Sequence, residues 1–253
     1  MVSIWDTRTV NLSTRAVATA CAAAAIAGGA YFGSLPLLGV VAVLVVLFAL
    51  GWSPLLGLPT PGGTFFVVVL AGLGALGAAH VTYSEPWLRN LPLVVAMGVL
   101  LTFINELLRG DGRERLVESL VGGVSGLVVA VSAAGWISAY KTEDGTALVL
   151  ICAVSIAAAS AVSASRLRGA PNIVATVAGA VAAGVGVCLA IPDMEWLSGV
   201  WTGLVTGVLV VSLQMLFHRL PELKRPRAGL AAIVLPVAVG GILVYVVGRI
   251  LVT

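Results

Sequence analysis

Long apolar runs, separated by short groups of proline, glycine and charged residues, make up nearly all of the chain. A run of about 20 apolar residues is long enough to cross the hydrocarbon core of a bilayer as an α-helix. The strict alternation of apolar and polar residues that marks membrane β-strands is absent from the sequence. The runs therefore predict nine membrane-spanning helices, at about residues 14–33, 36–53, 64–83, 90–108, 116–139, 146–165, 171–191, 196–217 and 229–251.

Composition points to the same class of protein. Of the 253 residues, 60% are hydrophobic and 10% are charged, and the mean hydropathy is +1.11. Soluble domains carry roughly 25% charged residues, so a secreted disulfide scaffold, a DNA-binding domain and a cytosolic enzyme are excluded. The predicted loops are too short to fold alone. We expect an all-α, polytopic integral membrane protein in which residues 1–253 form one transmembrane helical bundle.

The distribution of basic residues predicts the orientation of the bundle. Cytoplasmic loops of membrane proteins carry an excess of Lys and Arg. One side of the nine-span bundle holds Arg8, Arg15, Arg109, Arg113, Arg115, Arg166, Arg168, Arg219, Lys224, Arg225 and Arg227. The other side holds only Arg89, Lys141 and Arg249. The N-terminus is therefore predicted to be cytoplasmic and the C-terminus to lie outside.

Two further expectations concern the source of the protein and its first span. A chain rich in Ala, Val and Gly, with Arg favoured over Lys, is typical of GC-rich bacteria, so we expect a bacterial cytoplasmic (inner) membrane. The first span could be a signal peptide, with Arg8 and Arg15 ahead of it. Because a second apolar run follows directly, we expect an uncleaved first helix instead.

No pattern in the sequence predicts a metal or a cofactor. Cys21, Cys152 and Cys188 lie in apolar runs without a neighbouring ligand, and we interpret them as reduced core residues. The sequence from Gly72 to Gly77 fits G-x-G-x-x-G, but it lies inside a predicted span, where it favours helix packing over nucleotide binding. The predicted spans carry no charged residue near mid-membrane, which weighs against a proton-coupled pump.

Two groups of charged residues on the predicted cytoplasmic side are candidate sites. Basic side chains there orient the protein and attract lipid phosphates. The candidate residues for contact with a lipid head group are Arg166, Arg168, Arg219, Lys224 and Arg225. The candidate acidic cluster consists of Glu106, Glu114 and Glu118.

From about residue 90 onward, the order of features resembles the phosphatidate cytidylyltransferase (CDP-diacylglycerol synthase) family. The similar segments are Arg113–Gly123, Glu143–Ile151, Phe217–Arg219 and Gly240–Leu243. The resemblance implies a multi-spanning bundle with a cytoplasmic-facing site. In that family the site transfers CMP from CTP to phosphatidic acid and uses a divalent metal.

The chain departs from that family at the motifs whose residues carry out the reaction. The family's Asp-Ser-Gly-Ala-Tyr motif corresponds here to residues 155–159, Ser-Ile-Ala-Ala-Ala. The sequence has no Asp or Glu between Asp144 and Asp193, and both of these are predicted to lie outside. Nucleotidyl transfer needs carboxylates that hold metal on the triphosphate. We therefore expect no catalytic residue, no metal and no cofactor.

Three hypotheses about function remain. The leading one is a non-catalytic relative of the cytidylyltransferases that binds a lipid, or a membrane-protein partner, in envelope lipid metabolism. The partners expected are membrane lipids, anionic ones among them, and not nucleic acid. The alternatives are a permease for a small molecule or lipid, and a membrane-embedded transferase whose site would include the acidic cluster.

Overall fold

The computed structural model describes residues 12–110, 114–165, 167, 169–192, 194–217 and 226–251. Within these residues the chain is helical and contains no strand. The helices are α1 Leu12–Phe32, α2 Ser34–Leu56, α3 Pro61–Val81, α4 Leu91–Leu107, α5 Leu116–Ser132, α6 Gly135–Tyr140, α7 Gly145–Ser163, α8 Ala170–Ala190, α9 Trp196–Phe217 and α10 Pro226–Leu251. In the described part of the chain, eight helical segments are long and apolar enough to cross a membrane, with α5 and α6 counted together. The predicted all-α polytopic fold is confirmed.

Helix α4 is the short member of the bundle. It has 17 residues, which is about 25 Å against a hydrocarbon core of about 30 Å. At one end of the α3–α4 pair, Asn105 lies against Gly63. At the other end, the amide of Asn90 donates a hydrogen bond to the Thr82 hydroxyl at 3.2 Å. Helix α4 therefore runs antiparallel to α3, but it is shorter than the eight segments that are long enough to span a membrane.

The fifth predicted span, 116–139, is interrupted in the structure. Helix α5 ends at Ser132, and α6 begins at Gly135 after a two-residue turn. Trp136 lies three residues before the predicted end of this span, where an indole ring is expected to favour the membrane interface. Instead, Trp136 is 1% exposed, and its indole N–H donates to the Val237 carbonyl at 2.8 Å. The ring fills the space between α6 and α10, where Gly240 lies against it.

Small residues set the closest approach of helices. On α9, an added Cβ at Gly203 would lie 2.5 Å from Val181 Cα and 2.7 Å from the Ala180 carbonyl oxygen of α8. Gly199 and Gly184 meet in the same way along the same pair. Such backbone-to-backbone contact is how small residues pack membrane helices in the absence of a strong hydrophobic drive.

The turn between α1 and α2 is a single residue, Gly33, whose φ is +125°. Only glycine adopts such a conformation without strain, so two full spans follow each other with almost no linker. Large apolar side chains point away from the bundle, and they include Phe32, Phe66, Leu93 and Leu189. An apolar exterior of this kind matches a lipid environment.

Candidate functional site

Glu106 is a buried carboxylate at the end of α4, on the predicted cytoplasmic side. Its side chain is 3% exposed and forms an ion pair with Arg109, whose Nη1 lies 2.6 Å from Oε2. The Ser119 hydroxyl donates to Oε1 at 2.5 Å, and the Thr60 hydroxyl lies 3.4 Å from the same oxygen. The network joins the ends of α3, α4 and α5, and it leaves both carboxylate oxygens with partners.

The other two predicted acidic residues have different surroundings. Glu118 is exposed and forms an ion pair with Arg115, which also donates to the Gly57 carbonyl at 3.1 Å. Glu114 is exposed, and its backbone carbonyl accepts a hydrogen bond from Arg109. Among the residues that the structure describes, no group of three or more His, Cys, Asp or Glu is arranged to hold a metal ion.

The five predicted basic head-group contacts, Arg166, Arg168, Arg219, Lys224 and Arg225, lie outside the described residues. In the sequence, however, they follow described residues closely. Arg166 comes three positions after Ser163, at the end of α7, and Arg219 comes two positions after Phe217, at the end of α9. The described residues around those two helix ends are therefore the ones to examine for a head-group site.

A cleft lies between α1, α7, α9 and α10 at that end of the bundle. It has a volume of about 60 Å³ and is partly open. Its polar lining consists of Arg15, Thr19, Ser160, Ser163 and Gln214, and its apolar lining of Ala16, Val210, Leu213, Phe217, Ala232 and Pro236. Among the described residues, the lining combines one cation with hydroxyl and amide groups and includes no carboxylate.

Three of the cleft's side chains carry hydrogen-bonding groups without a partner in the described part of the chain. Arg15 Nε and Ser160 Oγ are shielded from solvent and unpaired. The half-buried Gln214 amide makes no hydrogen bond to any described residue. Buried polar groups in proteins are nearly always hydrogen-bonded, and an Arg at membrane depth normally pairs with a partner. The cleft therefore holds two buried groups without a hydrogen-bond partner, and the positive charge of Arg15 has no anionic partner among the residues that the structure describes.

Helix α10 adds a backbone feature to the cleft. Pro236 lies inside the helix and has no N–H to donate to the carbonyl of Ala232, four residues earlier. The Thr19 hydroxyl of α1 lies 3.0 Å from the next carbonyl along, that of Ile233. A hydroxyl from a neighbouring helix thus supports the backbone where the proline interrupts it.

The size and depth of the cleft limit what it can hold. A single water molecule needs about 10–15 Å³ of cavity volume. A cavity volume of about 60 Å³ therefore accommodates a few non-hydrogen atoms and not a whole lipid. Ser160, Gln214 and Arg15 each lie within about one turn of a helix end. The polar lining therefore lies near one end of the bundle.

Comparison of the chain with protein-family models, with curated proteins and with solved structures gives no match. The fold by itself defines a multi-pass helical membrane protein. The resemblance to phosphatidate cytidylyltransferases remains a hypothesis.

Sequence reasoning did not identify the cleft as a site. It counted Arg15 among the residues that orient the protein, and a serine inside a membrane span, such as Ser160 or Ser163, most often only donates to a nearby backbone carbonyl. One signal was available, because Arg15 falls inside the predicted first span, 14–33, and an ionisable residue there favours a functional role. The convergence of Arg15 with Gln214, nearly 200 positions away in sequence, depends on tertiary packing.

Proposed function

We propose that this chain is a non-catalytic, multi-pass protein of the bacterial cytoplasmic membrane that binds the phosphate of an anionic lipid in the cytoplasmic leaflet. The observation that carries the proposal is the cleft in which Arg15 Nε and Ser160 Oγ lack hydrogen-bond partners among the described residues. A lipid phosphate would supply the acceptor oxygens and the negative charge that this lining lacks.

The positions of basic residues in the sequence support the same ligand independently. Arg166, Arg168, Arg219, Lys224 and Arg225 follow the two helices that supply Ser160, Ser163 and Gln214. Clustered basic residues beside a membrane helix favour anionic head groups. The cytidylyltransferase resemblance favours phosphatidic acid, the lipid substrate of that family. A chain without the family's carboxylates would retain the lipid and lose the nucleotidyl transfer.

The experiment is native mass spectrometry of the full-length protein in detergent, titrated with phosphatidic acid. We expect Arg15→Gln to weaken binding about 10- to 100-fold, because a hydrogen bond to a charged group is worth about 1.5–3 kcal/mol. Arg89→Gln is the matched control, since it removes the same charge from an exposed residue in the loop between α3 and α4.

Two results would contradict the proposal. The first is equal affinity of Arg15→Gln, Arg89→Gln and the unmodified protein for phosphatidic acid. The second is unchanged affinity when Arg219, Lys224 and Arg225 are replaced together by Gln. A loss in the triple variant with none in Arg15→Gln would place the lipid at the basic segment and not in the cleft.

A further inference from the structure

The side chain of Asn172, in the first turn of α8, bridges the connection between α7 and α8. Its Nδ2 donates to the Leu167 carbonyl at 2.8 Å and to the carbonyl of Ser163, a residue of the cleft, at 3.2 Å. Its Oδ1 accepts a hydrogen bond from the hydroxyl of the fully buried Thr176 at 3.0 Å. Both N–H bonds of the amide are therefore used, and the amide is held in one orientation from α8.

The bond to Ser163 completes the end of α7. The last carbonyl groups of a helix have no partner within the helix itself. In α7, the carbonyls of Ala161 and Val162 accept hydrogen bonds from the backbone N–H groups of the two residues that follow the helix, at 3.3 and 2.9 Å. The Ser163 carbonyl, the last in the helix, accepts its hydrogen bond from the Asn172 amide. Asn172 thus caps α7 from the neighbouring helix and keeps its last turn from fraying.

The same turn of α7 determines which hydroxyl of the cleft can donate to a ligand. Ser163 Oγ donates to the Ser160 carbonyl at 2.6 Å, and Thr19 Oγ1 lies 3.0 Å from the carbonyl oxygens of Arg15 and Ile233. A hydroxyl has a single hydrogen to donate, so these two hydroxyls are occupied. Ser160 Oγ is buried and has no partner among the described residues. Of the three hydroxyls in the described lining, that of Ser160 alone has its hydrogen free for an acceptor such as a phosphate oxygen.

We propose that Asn172 is a positioning residue for phosphate binding, although no described residue of α8 lines the cleft. By capping the Ser163 carbonyl, Asn172 holds the last turn of α7 in the geometry that presents the Ser160 hydroxyl to the cleft. Ser160 lies about one helical turn before Ser163, and the Ser163 hydroxyl bonds to its carbonyl, so the two positions are coupled. This inference rests on the proposed function, because it concerns the same lipid phosphate.

The test is a double-mutant cycle on phosphatidic acid binding, measured by native mass spectrometry of the full-length protein in detergent. Ser160→Ala removes the donor itself and should weaken binding about 10-fold, the effect of one hydrogen bond to a charged group. Asn172→Ala should weaken binding about 3- to 10-fold. In the Ser160→Ala background it should cause no further loss, because the hydroxyl that it positions is absent. In the Arg15→Gln background its effect should persist, since Arg15 belongs to α1.

Two further variants make the result specific. Asn90→Ala is the matched control, because Asn90 also donates from Nδ2 at the start of a helix, but to the Thr82 hydroxyl at the opposite end of the bundle. It should leave phosphatidic acid binding unchanged. Thr176→Val keeps the shape of the side chain and removes the hydroxyl that orients the Asn172 amide. It should weaken binding in the same direction as Asn172→Ala, again only while Ser160 is present, and it tests the inference even if Asn172→Ala does not fold.

The positioning role and the proposed function fail in different ways. If the unmodified protein does not bind phosphatidic acid, both are overturned. If it binds the lipid and Arg15→Gln weakens that binding, but Asn172→Ala binds as tightly as Asn90→Ala, only the positioning role is overturned. Equal losses from Asn172→Ala with and without the Ser160 hydroxyl would also overturn it, because Asn172 would then support the bundle as a whole and not the Ser160 hydroxyl.

Discussion

Glu106 shows how a single ionisable residue at a helix end acts in this fold. Its carboxylate and the Arg109 guanidinium are both almost fully shielded from solvent. Removing one partner of a buried ion pair leaves the other charge uncompensated, at a cost of about 3–5 kcal/mol. The sequence predicts that both residues lie on the cytoplasmic side. Their burial in the structure determines how much the ion pair contributes to stability.

Glu106→Gln is therefore expected to lower the free energy of unfolding by about 3 kcal/mol, measured by denaturation in mixed detergent micelles. Glu118→Gln, which breaks the exposed pair with Arg115, should cost less than about 1 kcal/mol. The double variant Glu106→Gln/Arg109→Gln should recover part of the loss, because no unpaired charge remains. Equal losses for the two Glu variants would show that the buried pair does not stabilise the bundle.

At the scale of elements, the antiparallel α8–α9 pair depends on glycine contacts. Gly203→Ala would place a methyl group against the backbone of Val181, and overpacking of this kind costs about 1–3 kcal/mol. Gly186→Ala, on α8, has open space around the added methyl and serves as the control. The unfolding temperature should fall for Gly203→Ala alone, because Ala otherwise favours the helix; a fall of the same size in both variants would show that close approach at Gly203 is not responsible.

Helix α10 carries the second prediction at this scale. Pro236→Ala restores an N–H for the Ala232 carbonyl, so the helix should become more stable, since an interior proline costs about 3 kcal/mol. The straightened helix should also reshape the cleft and weaken phosphatidic acid binding. Pro54→Ala, in the interior of α2 and away from the cleft, should leave that binding unchanged. Unaltered affinity of Pro236→Ala for phosphatidic acid would show that the proline does not shape the cleft for lipid binding.

The span boundaries show what hydropathy can and cannot predict. The length of apolar runs predicted each crossing to within a few residues, because the bilayer imposes one minimum length on all of them. Helix α2 ends at Leu56 and not at 53, since a proline near the end of a helix need not terminate it. The break between α5 and α6, and the burial of Trp136, depend on packing against α10. Such contacts join residues about 100 positions apart, and no local pattern encodes them.

At the scale of the whole molecule, the described contacts place the helix ends in two opposite groups. Arg115, just before α5, donates to the Gly57 carbonyl just after α2, and Lys141 donates to a carbonyl at the end of α3 on the opposite side. This alternation agrees with nine crossings. Which group faces the cytoplasm stays a prediction from the distribution of Lys and Arg.

Cysteine labelling tests that orientation. With Cys21, Cys152 and Cys188 replaced by Ala, Glu114→Cys and Glu143→Cys each add one exposed thiol at opposite ends. A membrane-impermeant maleimide should label Glu143→Cys in intact spheroplasts, and Glu114→Cys only after permeabilisation. Labelling in the reverse order would show that the bundle has the opposite orientation and that the Arg15 cleft lies in the outer leaflet.

The most direct measurement is photo-crosslinking of the full-length protein in nanodiscs with a phosphatidic acid analogue that carries its photoreactive group beside the phosphate. A lipid bound in the cleft should attach to peptides from α7 and α9 around Ser160 and Gln214, and excess unlabelled phosphatidic acid should compete. An analogue with a neutral head group should not attach there. Equal labelling of all lipid-facing helices, including the exposed apolar face of α8 near Val174 and Leu189, would contradict lipid binding in the cleft.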